Sequence, residues 1–186
     1  MKVFLIRHPE PVGAAGLCYG STDLPVTSEA IQASMDALRG RIPANFDGVI
    51  SSPLQRCTAL AAKLANAYAC DKRLVELNFG DWESTRWEEI DRIAFDEWAN
   101  NHARARVPGG ESWEDVRRRV GSFLEELRPG PYTDLAVVTH AGVIRAALSL
   151  ILGIALEPTW RIQLPFGCVV KVEIGSHEQD DRLICL

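Results

Sequence analysis

The sequence predicts an α/β fold, a three-layer sandwich with a mainly parallel central sheet. Short, unbroken apolar runs at residues 3–6, 48–51 and 135–139 are typical of strands buried on both faces of a parallel sheet. A helical pattern follows each run, and alternating strands and helices favour helices packed on both sides of the sheet. The 186 residues, 47% of them hydrophobic, suit one core, so we expect a single domain over residues 1–186.

Capping signals predict where the helices begin. Thr27 or Ser28 is expected to cap a first helix that runs towards Arg39. Pro53 suits the first turn of a second helix, because its fixed φ fits there and its missing N–H is not needed. Residues 141–142 open a third, largely apolar helix. The second and third helices are therefore expected to begin close to the carboxyl end of a strand.

Residues 77–116 differ from the rest of the chain. They hold many charges and four of the five tryptophans, namely Trp82, Trp87, Trp98 and Trp113. We interpret this stretch as a helical insertion, a lid over the C-terminal edge of the sheet, rather than a separate domain. A long helix is expected over residues 111–128, and residues 164–174 and 183–186 are expected to be closing strands.

The composition excludes several classes of function. Lys and Arg number 20 against 25 Asp and Glu, a net charge of −5 that argues against sequence-independent nucleic-acid binding. The five cysteines contain no C-x-x-C pair, so neither a disulfide framework nor a zinc knuckle is expected. No apolar stretch approaches the ~20 residues of a membrane span, and the N-terminus lacks a signal-peptide core. We expect a cytoplasmic protein without membrane or nucleic-acid partners, and the oligomeric state stays open.

Unusual polar residues follow three of the predicted strands. Arg7 and His8 follow the first, Arg56 lies shortly after the second, and His140 follows the strand at 135–139. In open α/β sheets ligands bind at the carboxyl ends of the strands, so these four side chains are expected to converge. Either histidine alone is also typical of an ordinary strand end, but together with two arginines they indicate a site.

A metal ion and an oxyanion are the two ligands that such a cluster suggests. Imidazole is a common metal ligand, but guanidinium groups repel a dication, and no H-x-H or H-E-x-x-H spacing is present. Arginine binds phosphate oxygens bidentately, and helix N-termini after Pro53 and His140 would direct free N–H groups to the same place. The residues therefore favour a phosphate site, with basic groups concentrated locally in an acidic protein.

Five motifs extend this interpretation over nearly the whole chain. They are Leu-Ile-Arg-His at 5–8, Ser-Ser-Pro-Leu-Gln-Arg-Cys at 51–57, residues 74–83, Pro-Gly-Gly-Glu-Ser at 108–112, and Val-Thr-His-Ala-Gly at 138–142. With these motifs the chain resembles the histidine phosphatase superfamily, which is phosphoglycerate mutase-like, and it carries them in the family's order.

The resemblance implies a role for each matching residue. His8 corresponds to the nucleophile that becomes a phosphohistidine, and Arg7, Arg56 and His140 correspond to the phosphate pocket, with His140 also catalytic. Glu76 corresponds to the general acid and base. The implied reaction is the metal-independent hydrolysis of a phosphate monoester on a small phosphorylated metabolite, with no cofactor and no metal site.

Two residues depart from the family pattern. Pro9 replaces the usual glycine after the Arg-His pair, and proline removes an N–H that could face the phosphate. Ser84 replaces the glycine that often follows Trp-Glu. Pro9 is expected to alter the rim of the pocket, and Ser84 is expected to alter the path of the insertion.

Residues 17–25 are the best guide to the substrate. They resemble a loop of the α-ribazole phosphatases, which implies α-ribazole 5′-phosphate, an ester of cobalamin nucleotide-loop synthesis, with Tyr19, Ser21 and Thr22 as substrate contacts. The tryptophans of the insertion either stack on a flat base or only pack the insertion onto the sheet.

Three alternatives stay open: a broad-specificity sugar-phosphate phosphatase, a phosphoglycerate mutase, and a non-catalytic binding module on the same fold. The short chain disfavours a mutase, and retention of all four pocket residues disfavours the module. The two remaining histidines, His102 and His177, lie in polar surroundings and are expected at the surface.

Overall fold

The computed structural model of the protein describes residues 1–101, 103–128 and 130–185. Six strands within these residues form one mixed sheet. Its strands are β1 (Lys2–Arg7), β2 (Gly48–Ser51), β3 (Ala69–Cys70), β4 (Asp134–Thr139), β5 (Val169–Glu173) and β6 (Arg182–Cys185), in the order β3-β2-β4-β1-β5-β6. Strands β1 to β4 are parallel, and β5 and β6 are antiparallel to their neighbours. The mainly parallel sheet is confirmed, and β3, two exposed residues long, lacked the apolar run that would have predicted it.

Helices cover both faces of the sheet, so the three-layer α/β sandwich is confirmed. They are α1 (Ser28–Leu38), α2 (Gln55–Leu64), α3 (Arg92–Asn100), α4 (Trp113–Leu127) and α5 (Ala141–Ile151). Alternate residues of β1 and β4 enter different cores. Phe4 and Val138 belong to the core beneath α1 and α2, whereas Leu5 and Val137 belong to the core beneath α4 and α5. Burial on both faces explains the unbroken apolar runs.

The predicted helix starts are right for α1 and wrong by two residues for α2 and α4. Thr27 caps α1, its hydroxyl accepting from the N–H of Ala30 at 3.1 Å. Pro53 precedes α2, which begins at Gln55, where Asp23 accepts the Gln55 N–H at 2.7 Å. Helix α4 begins at 113 rather than 111, because Ser112 caps it in a capping box.

The predicted strand at 164–174 is too long, because only Val169–Glu173 is a strand. Gly167 has a φ of +70°, and its N–H donates to the carbonyl of His8, so the chain turns here before it enters the sheet. The strand predicted at 183–186 is β6, which begins one residue earlier, and residue 186 lies outside the described residues.

In the described part of residues 77–116, two 3-10 turns, Gly80–Trp82 and Trp87–Glu89, precede α3, and α4 begins at Trp113. Trp82, Phe95 and Trp98 pack edge to face or tilted in one aromatic cluster. The insertion is also hydrogen-bonded to residues 16–18. Ser84, at a φ of 64°, donates its N–H to the Cys18 carbonyl at 2.8 Å, a left-handed conformation that explains why glycine is usual here.

The surface features follow the sequence in part. All five cysteines are unpaired. His177 is exposed, as expected, whereas His102 lies outside the described residues. Within the described ranges no helix combines the length and the apolarity needed to cross a bilayer.

We predict that Gly80→Ala destabilises the protein far more than Gly40→Ala. Both glycines have a positive φ, +50° and +74°, so alanine costs about 1 kcal/mol at either position. At Gly80 a Cβ would also lie 2.1 Å from the carbonyl oxygen of Pro108, whereas at Gly40 nothing lies within 4 Å. Urea unfolding should therefore give a loss about 1–3 kcal/mol larger for Gly80→Ala. Equal losses would contradict this packing.

Candidate active site

A cavity of about 320 Å³ lies at the carboxyl ends of β1 and β4. Its lining combines charged residues with a wall of apolar and aromatic ones. The charged and polar residues are Arg7, His8, Tyr19, Arg56, Glu76 and Arg145, and the wall includes Leu17, Phe79, Trp87, Trp113 and Trp160. A larger groove of about 720 Å³ lies beside α1 and residues 40–44, but none of these charged side chains lines it.

His8 extends β1 by one residue and is buried, with 3% of its surface exposed. Its N–H donates to the carbonyl of Thr139 at 2.9 Å, so β4 fixes its backbone. Nδ1 lies 2.6 Å from the carbonyl of Pro9, and because a carbonyl only accepts, Nδ1 carries the proton. Burial, followed by the charge of Arg56, lowers the pKa of His8 to about 3. At neutral pH the ring is therefore uncharged, with its lone pair on Nε2.

Arg56, the second residue of α2, is completely buried. Its Nη1 donates to the carbonyl of Thr22 at 2.6 Å and its Nη2 to that of Gly20 at 2.5 Å. Its Nε donates to Nδ1 of His140 at 3.3 Å. Three neutral acceptors thus fix the guanidinium plane, and one hydrogen each on Nη1 and Nη2 stays available.

His140 lies behind His8 and Arg56, with its ring centroid 5.0 Å from that of His8. Since Nδ1 accepts from Arg56, the ring proton is on Nε2, which lies 2.9 Å from the hydroxyl of Ser52. Burial, then the neighbouring His8 and Arg56, holds the pKa of His140 well below its usual value. The structure therefore brings His140 to the cluster with both ring nitrogens already hydrogen-bonded.

Arg7, the last residue of β1, has one nitrogen without a partner. Its Nη1 donates to the carbonyl of Leu164, and its guanidinium carbon lies 3.9 Å from the centre of the Phe166 ring. Its Nε is buried, and no hydrogen-bond partner lies within reach among the described residues. Burial lowers the pKa of Arg7 from its ordinary value. Arg7 also lines the cavity, so an anion bound there would meet its guanidinium group.

The carboxylate of Glu76 lies at the N-terminus of α5. It accepts the N–H of Gly142 at 2.9 Å and that of Leu77 at 3.0 Å. A Cβ on Gly142 would lie 2.2 Å from Glu76 Oε1 and 2.4 Å from the Trp113 ring, so glycine is required there. One of the expected free N–H groups at each helix N-terminus is therefore already used, by Glu76 at α5 and by Asp23 at α2.

The predicted substrate contacts Tyr19, Ser21 and Thr22 separate in the structure. Tyr19 lines the cavity, and its ring centre lies 5.3 Å from the guanidinium carbon of Arg56. The backbone N–H and hydroxyl groups of Ser21 and Thr22 instead donate to the carboxylate of Glu83. Ser21 and Thr22 therefore shape the site from outside the cavity.

Sequence reasoning missed three of the residues that build the site. Glu83 ends the motif at residues 74–83, but the motif alone gave it no role, because most of its partners lie about sixty residues away. Burial on its own would raise the pKa of Glu83, but the hydrogen bonds from Thr22, Gly20, Phe79 and Ser21 lower it overall. Arg145 could have been found as the only charged residue of α5.

Arg145 and the missed Trp160 form the far wall of the cavity. The Nη1 of Arg145 donates to the carbonyls of Thr159 and, at 3.0 Å, Ile162. Its guanidinium carbon lies 4.8 Å from the centre of the Trp160 ring, which packs edge to face on Trp113 at 5.2 Å. Residues 157–164 therefore act with the insertion as a second wall.

Comparison with known proteins identifies the family. The description of the matching family is histidine phosphatase superfamily (branch 1), and the match covers residues 3–183. Phosphoserine phosphatase 1 of Hydrogenobacter thermophilus is 30% identical, covering 100% of this chain and 90% of that protein. A protein of Escherichia coli O1:K1 / APEC named "Probable phosphoglycerate mutase GpmB" is 31% identical, with 93% and 85% covered.

A solved structure repeats the whole fold. The α-ribazole phosphatase from Shigella flexneri superposes with a TM-score of 0.86 at 26% identity, covering 100% of this chain and 96% of that one. The names of these three proteins specify three different substrates. What they share is the family, and the match over residues 3–183 shows that this chain belongs to the histidine phosphatase superfamily, branch 1.

Proposed function

We propose that the protein is a phosphomonoesterase that works through a phosphohistidine formed on His8. The hydrogen bond from His8 Nδ1 to the Pro9 carbonyl carries this proposal, because it leaves a neutral ring with its lone pair on Nε2. The low pKa of about 3 keeps that lone pair free of a proton at any physiological pH. Two arginines of the same cavity, Arg7 and Arg56, match the two charges of a phosphate dianion.

In the proposed reaction, Nε2 of His8 attacks phosphorus while the bond from phosphorus to the ester oxygen breaks. Arg7 and Arg56 bind the non-bridging oxygens and stabilise the charge that they gain in the transition state. Glu76 gives its proton to the leaving oxygen. It then takes a proton from water, whose oxygen attacks phosphorus as the bond from phosphorus to His8 breaks.

In this scheme His140 acts through Arg56, which it holds with Nδ1, because its Nε2–H is already hydrogen-bonded to the hydroxyl of Ser52. Pro9 has no N–H to offer at the rim, and Tyr19 lines the cavity beside Arg7. The guanidinium groups supply the positive charge, so the proposed reaction needs no metal ion.

We propose α-ribazole 5′-phosphate, of cobalamin nucleotide-loop synthesis, as the substrate. The rings of Trp113 and Trp160 give a flat base an aromatic surface to stack on. The structure of the α-ribazole phosphatase from Shigella flexneri superposes on the whole of this chain. A second candidate class is the small phosphate ester with a carboxylate, such as phosphoserine or a phosphoglycerate, because Arg145 adds a third guanidinium to the cavity. Broad sugar-phosphate hydrolysis, a mutase and a non-catalytic module remain the alternatives to be tested.

The first prediction concerns the nucleophile. The purified protein should hydrolyse p-nitrophenyl phosphate in the presence of EDTA, and His8→Ala should lower kcat/KM by about 10³-fold or more. His177→Ala is the matched control, because His177 is exposed and should keep full activity. Undiminished turnover by His8→Ala would exclude the phosphohistidine mechanism.

The second prediction concerns acid stability. A histidine in the unfolded chain binds a proton below about pH 6.5, whereas folded His8 does so only near pH 3. Between these values the unfolded state holds more protons, so stability falls as the pH falls, by about 1.4 kcal/mol per pH unit for each such histidine. When urea unfolding is measured between pH 6 and pH 4, the free energy of unfolding should fall with pH less steeply in His8→Asn than in the native protein. The two slopes should differ by about 1.4 kcal/mol per pH unit. Equal slopes would show that His8 titrates normally in the folded protein.

The third prediction concerns the substrate. α-Ribazole 5′-phosphate and ribose 5-phosphate share the sugar phosphate and differ in the base, so their ratio of kcat/KM isolates the contribution of the aromatic wall. We expect the ribazole ester to be preferred about tenfold or more, and Trp160→Leu to reduce that preference. Phosphoserine and 3-phosphoglycerate complete the panel. A kcat/KM for the ribazole ester no better than for these would refute the assignment.

A further inference from the structure

We propose that Glu83 is a positioning residue of the active site, which holds residues 20–22 so that their carbonyls orient Arg56. Glu83 does not line the cavity, so its effect on a ligand must pass through another group. The inference rests on the proposed function in one respect, that Arg56 binds the phosphate.

The carboxylate of Glu83 receives six hydrogen bonds, three on each oxygen. Oε1 accepts the Ser21 N–H at 2.8 Å, the Ser21 hydroxyl at 3.0 Å and the Phe79 N–H at 2.9 Å. Oε2 accepts the Gly20 N–H at 3.1 Å, the Thr22 N–H at 3.0 Å and the Thr22 hydroxyl. All the donors are N–H or O–H groups, so the site is built for a carboxylate rather than an amide.

The same loop residues turn their carbonyls the other way, towards Arg56. Gly20 accepts from Nη2 and Thr22 from Nη1, at 2.5 and 2.6 Å. Glu83 thus binds the N–H groups of the two residues whose carbonyls bind the guanidinium. A shift of this loop would displace both acceptors together.

Besides the two carbonyls, the Tyr19 ring at 5.3 Å and one further hydrogen bond contact the guanidinium of Arg56. Among the described residues, this further hydrogen bond is from Nε to His140, at 3.3 Å. The ion pairs of the described residues do not include Arg56, so no carboxylate sets its plane. The loop in turn sits tightly against the insertion, since a Cβ on Gly20 would lie 1.7 Å from the Leu77 carbonyl oxygen. Glu83 therefore fixes the position of residues 20–22, and the carbonyls of that loop fix the orientation of the Arg56 guanidinium.

The test is a double-mutant cycle between Glu83→Gln and Arg56→Lys. The amide that Glu83→Gln introduces would place an NH₂ group against three donors, and a lysine lacks the planar fork of two nitrogens with which Arg56 binds the two carbonyls. On p-nitrophenyl phosphate we expect Glu83→Gln to lower kcat/KM about tenfold in the native background and less than about twofold in Arg56→Lys. The inhibition constant of inorganic phosphate should rise by about the same tenfold factor, because the phosphate site itself is disturbed.

A merely structural role gives a different result. Fewer folded molecules lower kcat but leave KM and the inhibition constant of phosphate unchanged. Equal losses from Glu83→Gln in both backgrounds, or an unchanged phosphate constant, would overturn the proposal. Asp47→Asn is the matched control, because Asp47 also binds two backbone N–H groups, those of Thr133 and Asp134, which precede and begin β4, away from its carboxyl end. Asp47→Asn should change the free energy of unfolding and leave KM and the inhibition constant of phosphate unchanged.

A milder variant covers the case in which Glu83→Gln does not fold. Thr22→Val removes one hydroxyl donor from Glu83 and keeps the backbone bond, so the phosphate inhibition constant should rise, and an unchanged constant would overturn the proposal. Failure of the proposed function would be seen separately, because the native protein itself would then not hydrolyse p-nitrophenyl phosphate. If native protein is active and His8→Ala is not, only the role of Glu83 is at stake.

Discussion

The burial of Arg56 without a carboxylate partner is the constraint on which the rest of the site depends. A buried charge is expensive unless it is hydrogen-bonded, and an opposite charge is the usual compensation. Here the described residues supply only neutral acceptors, two carbonyls from residues 20–22 and a nitrogen of His140. The guanidinium is held in place with its charge uncompensated, which is the condition for strong attraction to a dianion.

The two histidines follow from the same constraint. Both are buried against guanidinium groups, so their protonated forms are disfavoured twice, by loss of solvent and by positive neighbours. A neutral ring needs one donor and one acceptor partner. His8 has the Pro9 carbonyl for its N–H, whereas His140 uses Arg56 and Ser52 for its two nitrogens. The chemistry open to each ring therefore differs, although each follows a strand in the same way.

The sequence predicted the convergence of Arg7, His8, Arg56 and His140 because apolar runs specify parallel strands, and parallel strands bring their carboxyl ends together. It did not predict the parts built by contacts between distant segments. Residues 164–168 were assigned to a strand because they are apolar, yet Leu164 and Phe166 turn back to hold Arg7. Glu83 acts on a loop about sixty residues away, and no local pattern records such a partner.

The hydrogen bonding of nearby carboxylates to backbone N–H groups explains how a chain of net charge −5 builds a site for an anion. Glu76 and Glu83, carboxylates close to the cluster, bind backbone N–H groups rather than the guanidinium groups beside them. The N-terminus of α5 and the loop at 20–22 satisfy these negative charges, as helix N-termini favour. Among the described residues Arg7 and Arg56 are thereby left without an ion pair. The acidic residues closest to the site are thus held by backbone N–H groups, and both guanidinium groups stay available to a phosphate.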